Sequence, residues 1–536
     1  MPSTDRFLEQ QPDPWRAFAQ AAHWLLGVGV HCALGVAIGA LAARQIRSRQ
    51  LHWSWAAVAL APVVLVRTSL GSSALTLLIA ALLATIRTRR WHRDDLEIGA
   101  DLARIAADRR SPLKLVRSIA ESAKAVCERE PSAVPQQLAL GRDDSGRVVA
   151  IPFGDHGGGR HTLVVGATGS GKTVTQTWIA VSAVRRGMGA VVVDPKGDRG
   201  MRSELRRAAH AAGRSFLEWT PAGDCIYNPY ARGSDTEIAD KALAGERFTE
   251  PHYLRQAQRY LGHAVRTLRA ADCTVSLVGI VEHLDPDRLE VLARCAPERV
   301  AQLTHAYLDS LSARQRSDLA GVRDRLAILA ESDVGRWIDP RTENAQRLDL
   351  LDAVRAGAVV YFSLESDRRP LLTQMLGAAI VQDLQTVVAE LQQQPIATLV
   401  VIDEFSAVAA ERVVGLFGRA RSAGMSLLLA TQELADLRLP GQERLLEQIM
   451  GNLSVVLAHR QVVPASAELI SNVAGGHGAW KVSRHSDGRT TRSRTRQAAL
   501  DVDQIMGLGA GRAAVIVLGD VARVRIASVF SAQTRP

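Results

Sequence analysis

The sequence predicts an α/β protein with a mostly parallel sheet, an all-helical segment inserted into it and an apolar helical region before it. Short apolar runs that end in polar turns, at 162–165, 189–194 and 397–402, have the composition of buried parallel strands. From 235 to 345 this pattern gives way to apolar stripes of helical period. Residues 1–95 contain long apolar runs. These three observations define the expected fold class.

Length and composition leave several classes of partner open. The 536 residues have room for several domains, and the net charge of +10 suits an anionic polymer or an anionic membrane surface. Only six of the 65 basic residues are lysines, so Lys172 and Lys196 stand out as point charges suited to phosphate. The five cysteines are scattered and contain no C-x-x-C pair, which predicts a reducing compartment without a disulfide framework or a cysteine metal site.

Three apolar runs, at 21–43, 53–66 and 70–86, predict an amino-terminal membrane anchor. The first is long enough to cross a bilayer as a helix, the second is shorter and the third is borderline. Arginine clusters follow the first and last runs, and such clusters prefer the cytoplasm. We therefore expect residues 1–95 to form a multi-pass anchor with two or three transmembrane helices in the inner or plasma membrane. The remainder of the chain is expected on the cytoplasmic side. A buried helical core is the alternative for these runs.

The chain after the anchor has three predicted parts. Residues 96–234 hold a helical, polar stem up to about residue 134, then a hairpin at 138–153 and the first part of the α/β domain. Residues 235–345 are predicted to be an all-helical insertion, with one apolar helical face running from Leu254 to Leu268. Residues 346–536 complete the α/β domain.

A glycine-rich motif follows the strand at 162–165 and precedes a helix at 174–186, the setting of a Walker A phosphate loop. Its glycines let backbone N–H groups curl around phosphate oxygens, and the helix N-terminus adds a favourable dipole. Lys172 can reach the β- and γ-phosphates, and the Thr173 hydroxyl can ligate Mg²⁺. We therefore expect ATP and Mg²⁺ to bind at residues Gly166, Ala167, Thr168, Gly169, Ser170, Gly171, Lys172 and Thr173.

A second motif is the apolar strand that ends in Asp403 and Glu404, which has the form of a Walker B strand. Asp403 can hold the Mg²⁺ shell, and Glu404 can orient and deprotonate the attacking water. Successive side chains alternate in direction at the end of a strand, so the two carboxylates need not do the same work.

Two further polar turns are candidates for contact with phosphate. The turn at 194–198 follows a buried strand, so Lys196 faces either phosphate or nucleic acid, or is an ordinary solvated lysine. Another buried strand ends at Gln432, which can touch the γ-phosphate or the attacking water. Before that strand, Arg419 or Arg421 can act as an arginine finger across a subunit boundary, with a solvated face as the alternative.

Together these motifs resemble the type IV coupling proteins (TraD/TraG-like), hexameric ATPases of conjugation and type IV secretion in the FtsK/HerA superfamily of P-loop ATPases. The resemblance rests on the phosphate loop, Asp-Pro-Lys-Gly at 194–197, Ile-Asp-Glu-Phe at 402–405 and Ala-Thr-Gln at 430–432. It implies a RecA-like P-loop NTPase motor domain with an inserted all-α domain and an N-terminal transmembrane anchor. For site residues, it implies catalysis by Glu404, Lys172, Arg421 and Gln432, with Thr173 and Asp403 at the metal.

The function implied by the resemblance is ATP hydrolysis that drives DNA translocation. The DNA is expected as relaxase-bound single strand, passed by a membrane-anchored homo-hexamer to the channel components of a conjugative or type IV secretion system. A double-stranded DNA translocase of the FtsK/HerA kind is the close alternative. A nucleotide-dependent docking ring for secreted proteins is an alternative from another class, and Glu404 argues against a role in nucleotide binding alone. The sequence departs from the family in its third apolar run and in having no long acidic tail.

A polar, arginine-rich segment at 483–496 precedes the strand predicted at 513–517. If it faces a channel it can track phosphates along a nucleic acid. A flexible solvated loop is the alternative, and the sequence slightly favours it.

Overall fold

The structure is a computed structural model that describes residues 14–48, 55–56, 71–98, 137–153, 160–246, 248, 250–343, 345–408, 410–438, 444–484, 490–517 and 520–529. The chain divides into two compact units. One comprises Met1–Glu130 and His477–Gln497, and the other comprises Pro131–Gly476 and Ala498–Pro536. Most of the predicted stem and most of the apolar run at 53–66 lie outside the described residues.

Helices and strands alternate along most of the described chain. The helices are α1 (Pro14–Ser48), α2 (Gly71–Ile98), α3 (Lys172–Arg185), α4 (Arg199–Ala211), α5 (Asp235–Ala242), α6 (Pro251–Ala270), α7 (Leu277–Glu282), α8 (Pro286–Ala293), α9 (Glu298–Asp309), α10 (Ala313–Ala330), α11 (Leu350–Arg355), α12 (Pro370–Glu390), α13 (Phe405–Val408), α14 (Ala410–Ala420), α15 (Leu445–Asn452), α16 (Pro464–Ala474) and α17 (Val502–Met506). The strands are β1 (Gln137–Asp143), β2 (Val148–Pro152), β3 (Thr162–Val165), β4 (Gly189–Asp194), β5 (Phe216–Trp219), β6 (Cys225–Tyr227), β7 (Gln346–Leu348), β8 (Val359–Ser363), β9 (Thr398–Ile402), β10 (Met425–Thr431), β11 (Val455–Ala458), β12 (Gly476–Arg484), β13 (Thr490–Ala498), β14 (Arg512–Val517) and β15 (Asp520–Ile526).

In the smaller unit, α1 and α2 pack closely against each other. A Cβ added at Gly39 would lie 2.7 Å from the backbone oxygen of Ala80, so only glycine allows the helices to approach this far. The polar side chains of His31 and Thr76 meet across the pair, with 3.0 Å between Nδ1 and Oγ1. Small residues at a helix–helix contact and an interhelical hydrogen bond are typical of helices packed within a bilayer.

The search for membrane-spanning helices among the described residues finds one amino-terminal candidate, Phe18–Ile46 within α1. This agrees with an amino-terminal anchor, but α2 is not among the candidates, so the predicted multi-pass anchor is not supported. Helix α12 is also long and apolar enough to span a bilayer, but it is shorter and less apolar than the first candidate and is mostly buried inside the larger unit, so it is a core helix of the α/β fold.

An 11-stranded mixed sheet organises the described part of the larger unit, in the order β2-β1-β15-β14-β11-β3-β10-β9-β4-β8-β5. The strands from β11 to β5 are parallel, whereas β14, β15, β1 and β2 pair antiparallel. The carboxyl ends of β3, β10, β9 and β4 therefore meet at one edge of the sheet, where ligands bind in open α/β folds.

The parallel strands in the middle of the sheet are mostly apolar because both faces of the sheet are covered. Strands β4, β9 and β10 are buried at every position. Alternate residues of β3 enter different cores. Val164 packs on the side of α3, whereas Leu163 and Val165 pack on the opposite face.

Helices α5 to α10 occupy the segment in which the all-helical insertion is predicted. Capping boxes start two of them, Ser234 with Glu237 at α5 and Ser312 with Gln315 at α10. The predicted apolar face of α6 is buried from Ala257 to Leu268, and Leu254 is partly buried. These helices share a hydrophobic core with the sheet and belong to the same compact unit, so the insertion as a separate domain stays a prediction.

A buried ion pair joins this helical segment to the motor core. Lys241 of α5 is fully buried, and its Nζ donates to Asp383 Oδ1 of α12 at 2.6 Å and to the carbonyls of Pro229 and Arg232. Tyr227 donates its hydroxyl to the other carboxylate oxygen of Asp383 at 2.7 Å. Burial raises the pKa of Asp383, and the Lys241 ammonium opposes that rise.

The elements predicted around the motifs are confirmed, including the hairpin, which is β1 paired with β2. The favoured interpretation of the basic segment is wrong, because β12 and β13 form a two-stranded sheet and only residues 485–489 between them lie outside the described residues. The sequence signal was the alternation of Thr or Ser with Arg from 491 to 496, because a period of two is typical of strands.

Candidate active site

The glycine-rich loop at 166–173 lies at the functional edge of the sheet, between β3 and the first turn of α3. Gly171 is the residue before α3 and has φ 112, a conformation that favours glycine. A Cβ there would lie 3.1 Å from the backbone of Gly511, and the Gly511 N–H donates to the Ser170 carbonyl at 2.9 Å. The loop is therefore shaped by close backbone contacts as well as by its own sequence.

Lys172 is buried at the start of α3. Its Nζ donates to the Gly166 carbonyl at 2.5 Å, which folds the side chain back along the loop. Burial lowers its pKa, and the carboxylates of Glu404 and Asp403 oppose that shift. The Lys172 Nζ lies 3.8 Å from Glu404 Oε1. The phosphate-loop lysine and the predicted catalytic acid are thus neighbours, although 231 positions lie between them in the sequence.

The two acids follow β9, which is separated from β3 by β10. Strand β9 ends at Ile402, so both carboxylates stand in the turn after it and the predicted alternation along a strand does not apply to them. Asp403 is buried, and its Oδ1 accepts from Gln176 Nε2 at 2.9 Å. Gln176 stands one helical turn after Thr173 on α3, so this bond holds Asp403 beside the helix face that carries the Thr173 hydroxyl. Burial raises the pKa of Asp403 to about 6, even though the bond from Gln176 opposes the rise.

Glu404 has φ 42, in the left-handed region that residues other than glycine seldom adopt. Such a conformation costs on the order of 1–3 kcal/mol and is often found at functional sites. Its Oε1 accepts from Lys196 Nζ at 2.8 Å and from Gln432 Nε2 at 3.2 Å. Side chains from two separate turns of the sheet edge, after β4 and after β10, thus donate to one carboxylate oxygen.

Lys196 belongs to the turn after β4, which Asp194 holds in place. Asp194 Oδ1 accepts from the backbone N–H groups of Lys196 and Gly197 at 2.9 Å each, and its Oδ2 accepts from Asp198 N at 2.6 Å and from the hydroxyl of Tyr361. Partial burial works to lower the pKa of Lys196, but the bond to Glu404 and its negative charge raise it overall.

Gln432 lies where the sequence predicts a sensor. Its Nε2 donates to Glu404, and its Oε1 accepts from the Thr168 hydroxyl at 3.3 Å. It therefore bridges the phosphate loop and the acid that follows β9.

Arg421 lies at the opposite edge of the sheet, before β10 begins. Its guanidinium donates to the Asn452 carbonyl at 3.2 Å. Strand β10 has 7 residues, so Arg421 and Gln432 are separated by roughly 20 Å at the usual rise per residue. Arg419 lies in the last turn of α14, close in sequence to Arg421. The structure thus brings Lys172, Asp403, Glu404 and Gln432 together and leaves the two arginines apart from them.

His459 is a site neighbour that sequence analysis missed. It follows β11, is fully buried and contacts the loop, with 2.9 Å between its Nε2 and Thr175 Oγ1 and 2.9 Å between its Nδ1 and the Arg512 carbonyl oxygen. Burial lowers its pKa to about 4, so the ring is neutral at physiological pH. A polar residue directly after an apolar strand was the available signal.

The arrangement fits a triphosphate with Mg²⁺. Ser170 Oγ is buried and has no hydrogen-bond partner among the described residues. A Cβ at Gly166 would lie 2.5 Å from the His459 side chain, so only glycine fits at this position of the loop. No group of three or more His, Cys, Asp or Glu in the described residues could hold a metal ion by itself. Mg²⁺ in nucleotide sites usually takes one or two protein ligands and completes its shell with phosphate and water. Thr173 and Asp403 are the residues here that would serve.

Two family models match parts of the chain. The model described as the TraM recognition site of TraD and TraG matches residues 397–510, and the model described as Helicase HerA-like C-terminal matches residues 140–211. No curated protein matches the chain.

Three solved structures of two proteins share the fold. The bacterial conjugative coupling protein TrwB in an unbound form is 17% identical, with a TM-score of 0.52 over 74% of this chain and 89% of that chain. TrwB in complex with the ATP analogue ADPNP is 17% identical, with a TM-score of 0.56 over 77% of this chain and 93% of that chain. VirB4 of Thermoanaerobacter pseudethanolicus is 14% identical, with a TM-score of 0.51 over 73% of this chain and 96% of that chain.

The sheet order, the glycine-rich loop and the acid pair opposite it define a P-loop NTPase with a RecA-like α/β motor fold. Within that class, the matches at 397–510 and 140–211 make the chain similar to TraD/TraG and HerA-like proteins, in agreement with the resemblance in its motifs.

Proposed function

We propose that this chain is a membrane-anchored ATPase of the type IV coupling protein kind, which uses ATP hydrolysis to move DNA towards a conjugative or type IV secretion channel. One observation carries the proposal. The Lys172 ammonium lies 3.8 Å from the Glu404 carboxylate, so a cation suited to phosphate faces an acid suited to water activation. A site that only bound nucleotide would have no need of that acid.

The chemistry follows from the side chains at the sheet edge. The loop backbone and Lys172 hold the β- and γ-phosphates, and Thr173 with Asp403 would hold Mg²⁺, which neutralises charge on the phosphate oxygens. Glu404 orients the attacking water and accepts its proton. Gln432 contacts both Glu404 and the loop, so it is suited to report the state of the γ-phosphate.

Assembly as a homo-hexamer is part of the proposal. Arg421 stands roughly 20 Å from the site of its own chain, at the opposite end of β10. An arginine in that position can reach a nucleotide only if the site belongs to a neighbouring subunit. A ring in which each subunit completes the next one's site would meet that requirement, with Arg421 preferred over Arg419 as the finger.

Anchoring by two crossings of the membrane, α1 and α2, is also proposed. The close contact at Gly39 and the bond between His31 and Thr76 support a packed helix pair. The arginines in the carboxyl-terminal part of α2 favour a cytoplasmic motor, and two crossings then leave the arginines at the end of α1 on the opposite side of the membrane.

Partners are proposed from the comparisons and from charge. The family model at 397–510 is described as a TraM recognition site, and TrwB is described as a conjugative coupling protein, which supports relaxosome and type IV secretion partners. The net charge of +10 suits DNA. The β12–β13 hairpin, with its arginine-rich sequence, is the segment that we propose to contact the DNA backbone.

The test is the ATPase rate of the full chain in detergent or nanodiscs, titrated with single-stranded and double-stranded DNA. We expect Mg²⁺-dependent hydrolysis that single strands stimulate more than duplex does. Stimulation by duplex alone would favour the FtsK/HerA-like translocase, and indifference to both would favour the protein-docking ring. Lys172→Ala is the control, because it should abolish nucleotide binding and turnover. Retained turnover would contradict the assignment of the phosphate loop.

A further inference from the structure

Lys196 lies in a surface turn whose backbone is held in one conformation by hydrogen bonds. Its backbone and those of the next two residues are held by the Asp194 carboxylate, which is itself buried. Its side chain is 46% exposed, yet the ammonium lies 2.8 Å from Glu404 Oε1. The turn thus places the Lys196 ammonium beside the carboxylate of Glu404. Because the side chain is partly exposed, the ammonium has room to move to another anion.

Two ammonium groups contact the same carboxylate oxygen. Lys172 Nζ lies 3.8 Å from Glu404 Oε1, and Lys196 Nζ lies 2.8 Å from it. Like charges this close together are stable only beside an anion. Glu404 supplies one negative charge, whereas a terminal phosphate carries more and offers three oxygens to the two donors. Lysine suits this role because its ammonium is a compact point charge.

The sheet order indicates which phosphate Lys196 would meet. From the phosphate loop outwards the strands run β3, β10, β9 and β4, so Lys196 lies beyond Glu404 as seen from the loop. In a triphosphate held by the loop at Lys172, the γ-phosphate is the end nearest the acids, and the nucleoside and α-phosphate lie at the other end. An ammonium arriving from β4 therefore reaches the γ-phosphate and no other.

We propose that Lys196 is a second phosphate-binding lysine, which leaves Glu404 for the γ-phosphate when a nucleoside triphosphate binds. The exchange also removes the shortest contact to Glu404 Oε1 and leaves the bond from Gln432, so that the carboxylate has a free lone pair to accept a proton from water. Lys196 is thus a catalytic residue for ATP and makes no contribution to holding ADP. This inference rests on the proposed ATPase function. It adds a side chain that binds the γ-phosphate and therefore distinguishes ATP from ADP.

The test compares the dissociation constants of ADP and of a non-hydrolysable ATP analogue, each with Mg²⁺, for the full chain and for Lys196→Met. Methionine keeps the length of the side chain and removes its charge. A charge-assisted hydrogen bond to phosphate corresponds to roughly 10- to 100-fold in affinity. We expect that loss for the ATP analogue, with ADP affinity changed less than about threefold, and partial recovery in Lys196→Arg. Arg199→Met is the matched control, because it removes one positive charge from the start of α4, next to the same turn.

Three outcomes would overturn the inference. These are equal losses for ADP and the ATP analogue, an unchanged affinity for both, or an equal loss in Arg199→Met. Its failure can be told apart from failure of the proposed function through Lys172→Ala. If Lys172→Ala binds neither nucleotide while Lys196→Met has the wild-type ratio of affinities for the ATP analogue and ADP, the ATPase assignment is supported and the proposed role of Lys196 is wrong. If the wild type binds neither nucleotide, both fall together.

Discussion

Removing the Lys241 ammonium should destabilise the larger unit strongly, because that cation sits at the buried junction between the helical segment and the motor. In Lys241→Met, Asp383 loses its ion pair and the carbonyls of Pro229 and Arg232 lose their donor. Breaking a buried pair by removing one partner typically costs about 3–5 kcal/mol of unfolding free energy. Urea unfolding of the full chain at pH 7.5, followed by tryptophan fluorescence, measures the loss.

The pH dependence of that loss identifies its cause. Burial raises the pKa of Asp383, and the variant lacks the ammonium that opposes the rise. An acid whose folded pKa exceeds its unfolded value costs stability when ionised and regains it as pH falls towards the unfolded value. The difference between Lys241→Met and the wild type should therefore shrink as pH is lowered from 7.5 towards 5.

Two further variants serve as controls for the effect of Lys241→Met. Arg294→Met removes an exposed ion pair with Glu290, and it should change stability by less than about 0.5 kcal/mol. Lys241→Met combined with Asp383→Leu removes both charges, and it should recover part of the loss because no buried ion is left unpaired. If Lys241→Met unfolds at the same urea concentration as Arg294→Met, the argument about the junction is wrong.

Three further predictions concern the catalytic residues and the buried histidines. Glu404→Gln should keep ATP binding, measured by a fluorescent analogue, and lose about 10²- to 10⁴-fold in hydrolysis because the proton acceptor is gone; normal turnover would remove its role as base. Mixing Arg421→Ala with Glu404→Gln subunits should recover some ATPase activity if the finger acts in trans, and an absence of recovery at every ratio would leave Arg421 without that role. His161 and His459 are buried, and burial lowers their pKa values to about 4. As pH falls below about 6.5, these two rings therefore bind protons in the unfolded chain before they do so in the folded chain. By pH 4 this difference lowers the free energy of unfolding by about 3 kcal/mol for each histidine. Urea unfolding from pH 7.5 to 5 should show this decline, and His459→Gln should flatten it, whereas an unchanged slope would refute the assignment.

Local sequence was enough to predict the strands and loops that carry the site. A buried parallel strand is a nearly continuous apolar run, and the phosphate loop has a fixed spacing, so β3, β4, β9 and β10 could be found without any long-range information. The order of these strands along the chain then predicts that their polar turns meet at one edge.

Contacts between distant turns could not be predicted in the same way. The bond from Lys196 to Glu404 joins positions 208 apart, and nothing in the local pattern distinguishes it from a solvated lysine. The role of His459 depends on the closeness of β11 to the loop, which only the strand order reveals. The left-handed backbone at Glu404 is likewise invisible in a sequence where neither neighbour is glycine.

The strands β12 and β13 were missed for a different reason. The arginine-rich composition of 484–496, which includes most of β13, is typical of a solvated loop, and the alternation of Arg with Thr or Ser in β13 carries no apolar face. Polarity on both faces removes the usual evidence of burial, so composition and periodicity point in opposite directions for this segment.

The most direct test of the central claim is an experimental structure of the full chain with a non-hydrolysable ATP analogue and Mg²⁺. The account predicts the β- and γ-phosphates on the loop at Lys172, the metal at Thr173 and Asp403, and Glu404 next to the γ-phosphate. Phosphates bound away from Lys172, or a metal held without Asp403, would contradict it.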